Sequence, residues 1–167
     1  MIELIVTASL SSFLFGLFGV SWESVDAKIA NEYPQVEFIT TDDLFSIQSS
    51  QPSSSFQLFD VRESEEYSVS HLSDSQNVSK ASSISAIISD KSTPIVVYCS
   101  VGYRSAAVAA QLQELGYSNV LNLRHSIFEW VEKGYPLLNK AGDTNKVHPY
   151  NRAWGALIDT SYHFFPN

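Results

Sequence analysis

The sequence predicts an α/β fold built on a mainly parallel, five-stranded sheet with helices on both faces. Short apolar runs of strand composition recur along the chain, at residues 56–61, 95–98 and 119–123. Helix-forming stretches separate them, which is the alternation expected of parallel βαβ units. Turn residues then close those stretches, as at Gly116 and at Gly134-Tyr135-Pro136. At 167 residues the chain suits one domain with extensions. A chain of this size buries roughly 68–70% of its unfolded surface, so its core needs no disulfide or metal.

Residues 2–22 form an apolar run interrupted only by Glu3 among charged residues. As a helix this run would span about 30 Å, the thickness of a bilayer core. It is expected as a single N-terminal membrane span, with Glu3 and Trp22 near the two interfaces. A charged n-region is missing and no small-x-small cleavage signal follows closely, so the span is expected to be uncleaved. Lys28 lies just beyond the run and favours a cytoplasmic face for the rest of the chain. The alternative is an apolar helix or hairpin packed on a soluble cytoplasmic domain.

Residues 23–36 read as a helical connector ended by Tyr33-Pro34, residues 37–138 as the main domain, and residues 139–167 as an extension. Within the main domain, residues 36–40 are strand-like, and Thr40 or Thr41 caps a short helix through Asp42, Asp43 and Leu44. The serine-rich stretch 46–55 reads as a loop. A strand at 56–61, a short helix at 63–69, a brief strand at 76–78 and a helix at 81–89 follow. The central strand at 95–98 leads to a helix at 104–115, a strand at 119–123 and a helix at 126–133. Residues 139–146 read as a polar loop. A last helix is expected from Val147-His148-Pro149-Tyr150, with Tyr150, Trp154, Leu157 and Ile158 on one face, either packed on the domain or acting as a lid or partner surface.

Composition excludes several classes of function. The net charge of −8 argues against a nucleic-acid surface. A single cysteine excludes an internal disulfide, and four scattered histidines show no ligand spacing, so no metal and no cofactor are expected. The chain is expected to be a monomer.

That cysteine, Cys99, ends the central apolar run and opens the loop Cys99-Ser100-Val101-Gly102-Tyr103-Arg104-Ser105, which feeds a helix. A strand–loop–helix junction points backbone N–H groups and the positive end of the helix dipole into the loop. Such a place lowers a thiol's pKa and makes it nucleophilic at neutral pH. Arg104 adds a fixed positive charge able to hold an anionic substrate, and Gly102 lets the backbone turn inward.

Three stretches resemble the single-domain rhodaneses of the thiosulfate sulfurtransferase superfamily. The first runs from Leu58-Phe59-Asp60-Val61-Arg62 through Glu66-Tyr67 to Ser70-His71-Leu72. The second is Tyr98-Cys99-Ser100-Val101-Gly102-Tyr103-Arg104-Ser105. The third is Leu115-Gly116-Tyr117 through Val120, Leu123, Ile127 and Trp130 to Gly134-Tyr135-Pro136. The resemblance covers residues 37–138. It implies a sulfurtransferase in which Cys99 takes a sulfane sulfur from a small anionic, thiosulfate-like donor and passes it, as a persulfide, to a thiol or cyanide-like acceptor. Ser100, Val101, Gly102, Tyr103 and Ser105 would cradle the sulfur, and Arg104 would steady the donor or the thiolate. Asp60, Arg62 and His71 are expected as structural residues near the site.

The chain departs from the family pattern at three places. His125-Ser126, preceded by Arg124, replace a usual Gly-Gly pair, Ser70 replaces a Gly, and Asp74-Ser75 replace a Gly-Ala pair. The resemblance sets the first of these loops beside the active loop. Arg124 and His125 are therefore expected to line the pocket mouth, narrow it and add positive charge. A non-enzymatic sulfur-carrying or protein-binding module at a membrane is the alternative. A phosphatase or arsenate reductase is disfavoured, because four residues rather than five separate Cys99 from Arg104, which makes a tighter pocket.

Overall fold

The computed structural model describes residues 19–50 and 55–166. The expected apolar span over residues 2–22 falls outside the described residues as far as residue 18. Its last residues belong to something else. Gly19 has a φ of +74°, and Ser21 caps a new helix by accepting from the Ser24 N–H at 3.2 Å. Trp22 is therefore the first residue of α1 (Trp22–Glu32) rather than the end of an apolar helix. No helix among the described residues is long and apolar enough to cross a membrane.

Five strands, β1 (Phe38–Ile39), β2 (Gln57–Asp60), β3 (Gln76–Asn77), β4 (Ile95–Tyr98) and β5 (Val120–Leu123), form one sheet in the order β1-β5-β4-β2-β3. Every pairing in it is parallel. Five further helices, α2 (Thr41–Ser50), α3 (Ser64–Val69), α4 (Ala81–Ile87), α5 (Tyr103–Glu114) and α6 (Ser126–Glu132), connect the strands. The expected parallel α/β sheet is thus present. One boundary is corrected: α2 runs on to Ser50, where a serine-rich loop was expected from residue 46. The Ser49 and Ser50 hydroxyls donate to the carbonyls four residues back, which lets serine sit in that last turn.

The central strand β4 is buried along its whole length, as a parallel strand covered on both faces must be. Its alternate residues divide the core in two. Val96 and Tyr98 join Val25, Leu44, Ile127 and Trp130 beneath α1, α2 and α6. Ile95, Val97 and Cys99 join Ile84, Ala109 and Leu112 beneath α4 and α5. The alternation therefore carries Cys99 inward, toward the first turn of α5, and not out to solvent.

Beyond α6 the chain forms a hairpin of β6 (Leu137–Asn139) and β7 (Gly142–Thr144), where sequence composition suggested a polar loop. Asn139 Oδ1 accepts from the Ala141 N–H at 2.8 Å, and Gly142 takes a φ of +119°. Together they close the tight turn. The expected last helix is also shorter: α7 spans Arg152–Gly155 with Asn151 as its cap. Tyr150 has a φ of +64°, which ends any helix begun at Val147.

Where β2 ends, Asp60 and Arg62 form a fully buried ion pair. Arg62 Nε and Nη2 donate to the two Asp60 carboxylate oxygens at 2.9 and 2.6 Å, and Nη2 also donates to the Ser70 carbonyl at 2.6 Å. The pair ties β2 to the turn after α3. Removing one partner of a buried pair orphans the other charge. Arg62→Leu should therefore destabilise the fold by about 3–5 kcal/mol in denaturant unfolding, whereas the joint Asp60→Leu/Arg62→Leu change should cost less than either single change. Equal costs for the single and joint variants would contradict this reading of the pair.

Candidate active site

Cys99 is 1% exposed and is the free cysteine of the chain. It sits where β4 gives way to the loop that enters α5. The Gly102 N–H donates to Cys99 Sγ at 3.2 Å, and the Ser105 hydroxyl points to the same sulfur at 3.5 Å. Burial pushes the thiol up. The Arg104 charge, the Ser105 hydroxyl and the Ser105 and Val101 N–H groups outweigh burial and hold the thiol below its ordinary value. The arrangement can stabilise a buried sulfur anion.

The loop keeps its shape through the corner between β5 and α6. Ser126 Oγ accepts from the Cys99 N–H at 3.1 Å and donates to the Leu123 carbonyl at 2.9 Å. The first free N–H groups of α6, from Ile127 and Phe128, donate to the Cys99 and Ser100 carbonyls. These are the donors a helix N-terminus leaves unpaired. Asn122 Nδ2 holds the Gly102 carbonyl at 2.9 Å. Gly102 has a φ of +98°, and a Cβ there would lie 3.3 Å from the Leu123 carbonyl. Both the conformation and the close approach call for glycine.

Arg104 is committed within the protein. Its two terminal nitrogens donate to the two Glu66 carboxylate oxygens at 2.8 and 2.7 Å, and Nη2 also reaches Ser100 Oγ at 2.9 Å. Burial raises Glu66, but these bonds and the charges of Arg104 and Arg62 hold it below the usual carboxylate range. Bidentate pairing fixes the guanidinium plane. Arg104 therefore biases Cys99 through its field and through loop shape.

A cavity of about 150 Å³ opens on the loop. Cys99, Ser100, Val101, Tyr103 and Arg104 form its floor, and Tyr150 and Trp154 of the C-terminal extension form its wall. The Tyr103 hydroxyl turns away to Glu32 at 2.6 Å. His71 is a scaffold residue: its ring stacks on Tyr67 at 3.9 Å, its Nδ1 meets the Tyr67 carbonyl at 3.1 Å, and its backbone pairs with Leu138.

The structure does not bring Arg124 and His125 to the cavity, where the sequence suggested they would narrow the mouth. Arg124 pairs with Asp26 and lies over the Phe38 ring. His125 meets Asp26 Oδ1 and Glu129 Oε1, each at 3.1 Å, and packs against the tilted Trp22 ring at 4.3 Å. Helix α1 supplies the carboxylate and the indole that draw both side chains aside. What the 125–126 pair does at the site it does through Ser126. The sequence did not single out Glu66 or Asn122 as site residues, although Glu66 had a signal in its place in the Asp60–Tyr67 motif. Ser126 was marked only as part of the departure at 125–126, and Tyr150 and Trp154 only as an aromatic face that could act as a lid.

Residues 44–133 match the rhodanese-like domain family. A sulfurtransferase from Allochromatium vinosum is 40% identical over 52 residues, which are 31% of this chain and 49% of that protein. The match thus spans about half the length of that curated relative. Among solved structures, a rhodanese-related protein from Thermoplasma volcanium superposes with a TM-score of 0.52 at 28% identity, covering 61% of this chain and 97% of the other. The thiosulfate sulfurtransferase of Pseudomonas aeruginosa (TM-score 0.58, 20% identity, 71% of this chain and 22% of that one) shares the fold. So does the homodimeric polysulfide-sulfur transferase of Wolinella succinogenes (TM-score 0.56, 20% identity, 71% and 90%).

The electrostatics of Cys99 give a direct test. A lowered thiol pKa means that the iodoacetamide reaction reaches its plateau at lower pH than for an ordinary thiol. Arg104→Gln removes the cation and leaves the Glu66 carboxylate nearby, so the profile should move to higher pH. The rate at pH 7 should fall roughly three- to tenfold, as for an interaction worth on the order of 1 kcal/mol. Adding Glu66→Gln should recover part of that loss. Superimposable profiles for the parent and Arg104→Gln would show that the N–H groups and Ser105 alone set the thiol.

Proposed function

The chain belongs to the rhodanese-like domain family, and on that premise we propose that it is a sulfurtransferase working through a persulfide on Cys99. The single observation that carries the proposal is the buried sulfur itself, held at 3.2 Å from the Gly102 N–H and 3.5 Å from the Ser105 hydroxyl with the Arg104 charge behind it. In the first step the Cys99 thiolate attacks the outer sulfur of a donor such as thiosulfate. A new S–S bond forms on Cys99, the donor's S–S bond breaks, and its electron pair leaves with sulfite. In the second step an acceptor such as cyanide attacks the outer persulfide sulfur. Thiocyanate departs and the Cys99 thiolate is restored. No redox partner and no net proton are needed.

Each loop element has a place in this cycle. The persulfide anion carries its charge on the outer sulfur, inside the cradle that runs from Ser100 to Ser105. Donors fixed before the charge arrives need no rearrangement when it does. The bidentate bond to Glu66 keeps the Arg104 guanidinium occupied within the protein. It also makes the loop N–H groups the main anion donors, so a small sulfur carrier of low charge suits the pocket as well as thiosulfate does.

The experiment is a steady-state assay of the full chain with thiosulfate, 3-mercaptopyruvate and a low-molecular-weight persulfide as donors, and cyanide or dithiothreitol as acceptor. At least one pair should turn over. Cys99→Ser should abolish that turnover, and Gly102→Ala should lower it by about tenfold or more through strain at a positive φ. Turnover that survives in Cys99→Ser would refute a sulfur carried on this residue.

A further inference from the structure

The segment after β7 is a closed loop whose two ends pair with each other. The Val147 N–H donates to the Tyr162 carbonyl at 2.8 Å, and the Phe164 N–H donates to the Val147 carbonyl at 2.9 Å. Val147 and Ile158 are buried in the core cluster beneath α6, and Leu157 and Tyr162 pack against it. Inside the loop, His163 Nε2 meets the Gly155 carbonyl at 3.0 Å. The base of the loop is thus fixed to the domain.

Its other side faces the cysteine. Tyr150 covers the Arg104 guanidinium at 4.3 Å, and Trp154 stands beside it on the same cavity. The Asn151 side chain caps the first turn of α7 through the Trp154 N–H at 2.9 Å, which sets where the indole emerges. Tyr150 adopts a φ of +64°, a conformation that costs a side-chain-bearing residue energy. The cost is consistent with a backbone held so that the ring reaches Arg104. The space left above Cys99 is about 150 Å³, against the roughly 300–1,000 Å³ of ordinary ligand pockets.

We propose that this C-terminal loop is a size filter over Cys99: Tyr150 and Trp154 admit sulfur donors and acceptors of thiosulfate or small-thiol size and exclude a cysteine presented by another protein. The proposal rests on the sulfurtransferase reading for its substrates, but the filter is measurable without any sulfur chemistry. The chain has one cysteine, so thiol labelling reports on this pocket alone.

The test compares labelling of the full-length protein by iodoacetamide and by pyrene maleimide in the parent, Tyr150→Gly, Trp154→Ala and Arg152→Ala. Glycine relieves the positive φ while removing the ring, so Tyr150→Gly keeps the filter testable should Trp154→Ala fold poorly. In the parent, pyrene maleimide should lag far behind its rate with a free small thiol, while iodoacetamide should not. Tyr150→Gly and Trp154→Ala should each raise the bulky-to-small rate ratio by about tenfold, a change of 1.4 kcal/mol in barrier, and Arg152→Ala, on the exposed face of α7, should leave it unchanged. An unchanged ratio in Tyr150→Gly, or a parent that takes both reagents equally well, overturns the filter. A second arm loads the protein with sulfur and offers cyanide or a reduced thioredoxin-sized protein thiol. Discharge to the protein thiol should appear only in the opened variants. Failure to load with sulfur, with the labelling pattern intact, would count against the sulfurtransferase reading and leave the filter standing.

Discussion

The rest of the site depends on one constraint: the chain must turn inward at the end of a fully buried strand and keep its N–H groups pointing at Cys99. Backbone groups removed from water need partners. Here the partners come from the neighbouring β5–α6 corner. Ser126 takes the Cys99 N–H, the first N–H groups of α6 take the Cys99 and Ser100 carbonyls, and Asn122 takes the Gly102 carbonyl. With the loop's outward-facing polar groups satisfied in this way, the inward-facing ones are left for the sulfur. Parallel topology makes this workable. Adjacent β4 and β5 end on the same side of the sheet, so the two loops that follow them meet.

Charge at the site follows from that geometry. Arg104 sits one helical turn beyond Ser100 and is anchored by Glu66, which α3 presents from the far side of β2. Its field stabilises the thiolate, while its hydrogen bonds stay within the protein. Glu66 is itself 2% exposed, so the pair is held out of water on its carboxylate side, where such interactions are strong and loss of one partner is costly. A second buried pair, Asp60 and Arg62, braces the same strand end without touching the cavity.

Much of this was legible in the sequence. The strand–loop–helix pattern around Cys99 located the buried sulfur and the loop that surrounds it, and the alternation of strands and helices located the sheet. Arg124 and His125 were placed on the correct loop, but their side chains answer to Asp26 and Trp22 on α1. That helix precedes the matched family region, and a contact across a hundred residues leaves no periodic trace. Glu66 stood within a motif, yet its partner lies 38 residues away. The C-terminal loop was the least legible part. A tyrosine at positive φ runs against residue preference, and the paired ends of the loop bring together Val147 and His163, which share no local pattern.

Sulfur transfer by this site requires that Cys99 itself hold the sulfur between donor and acceptor. Intact-mass measurement after a single exposure to a sulfane-sulfur donor, with excess donor removed, tests it most directly. One added sulfur atom per chain is expected, mapped to the peptide holding Cys99 and removed stoichiometrically by cyanide as thiocyanate. A chain that turns over donor and acceptor with no added sulfur on Cys99 at any time would contradict it.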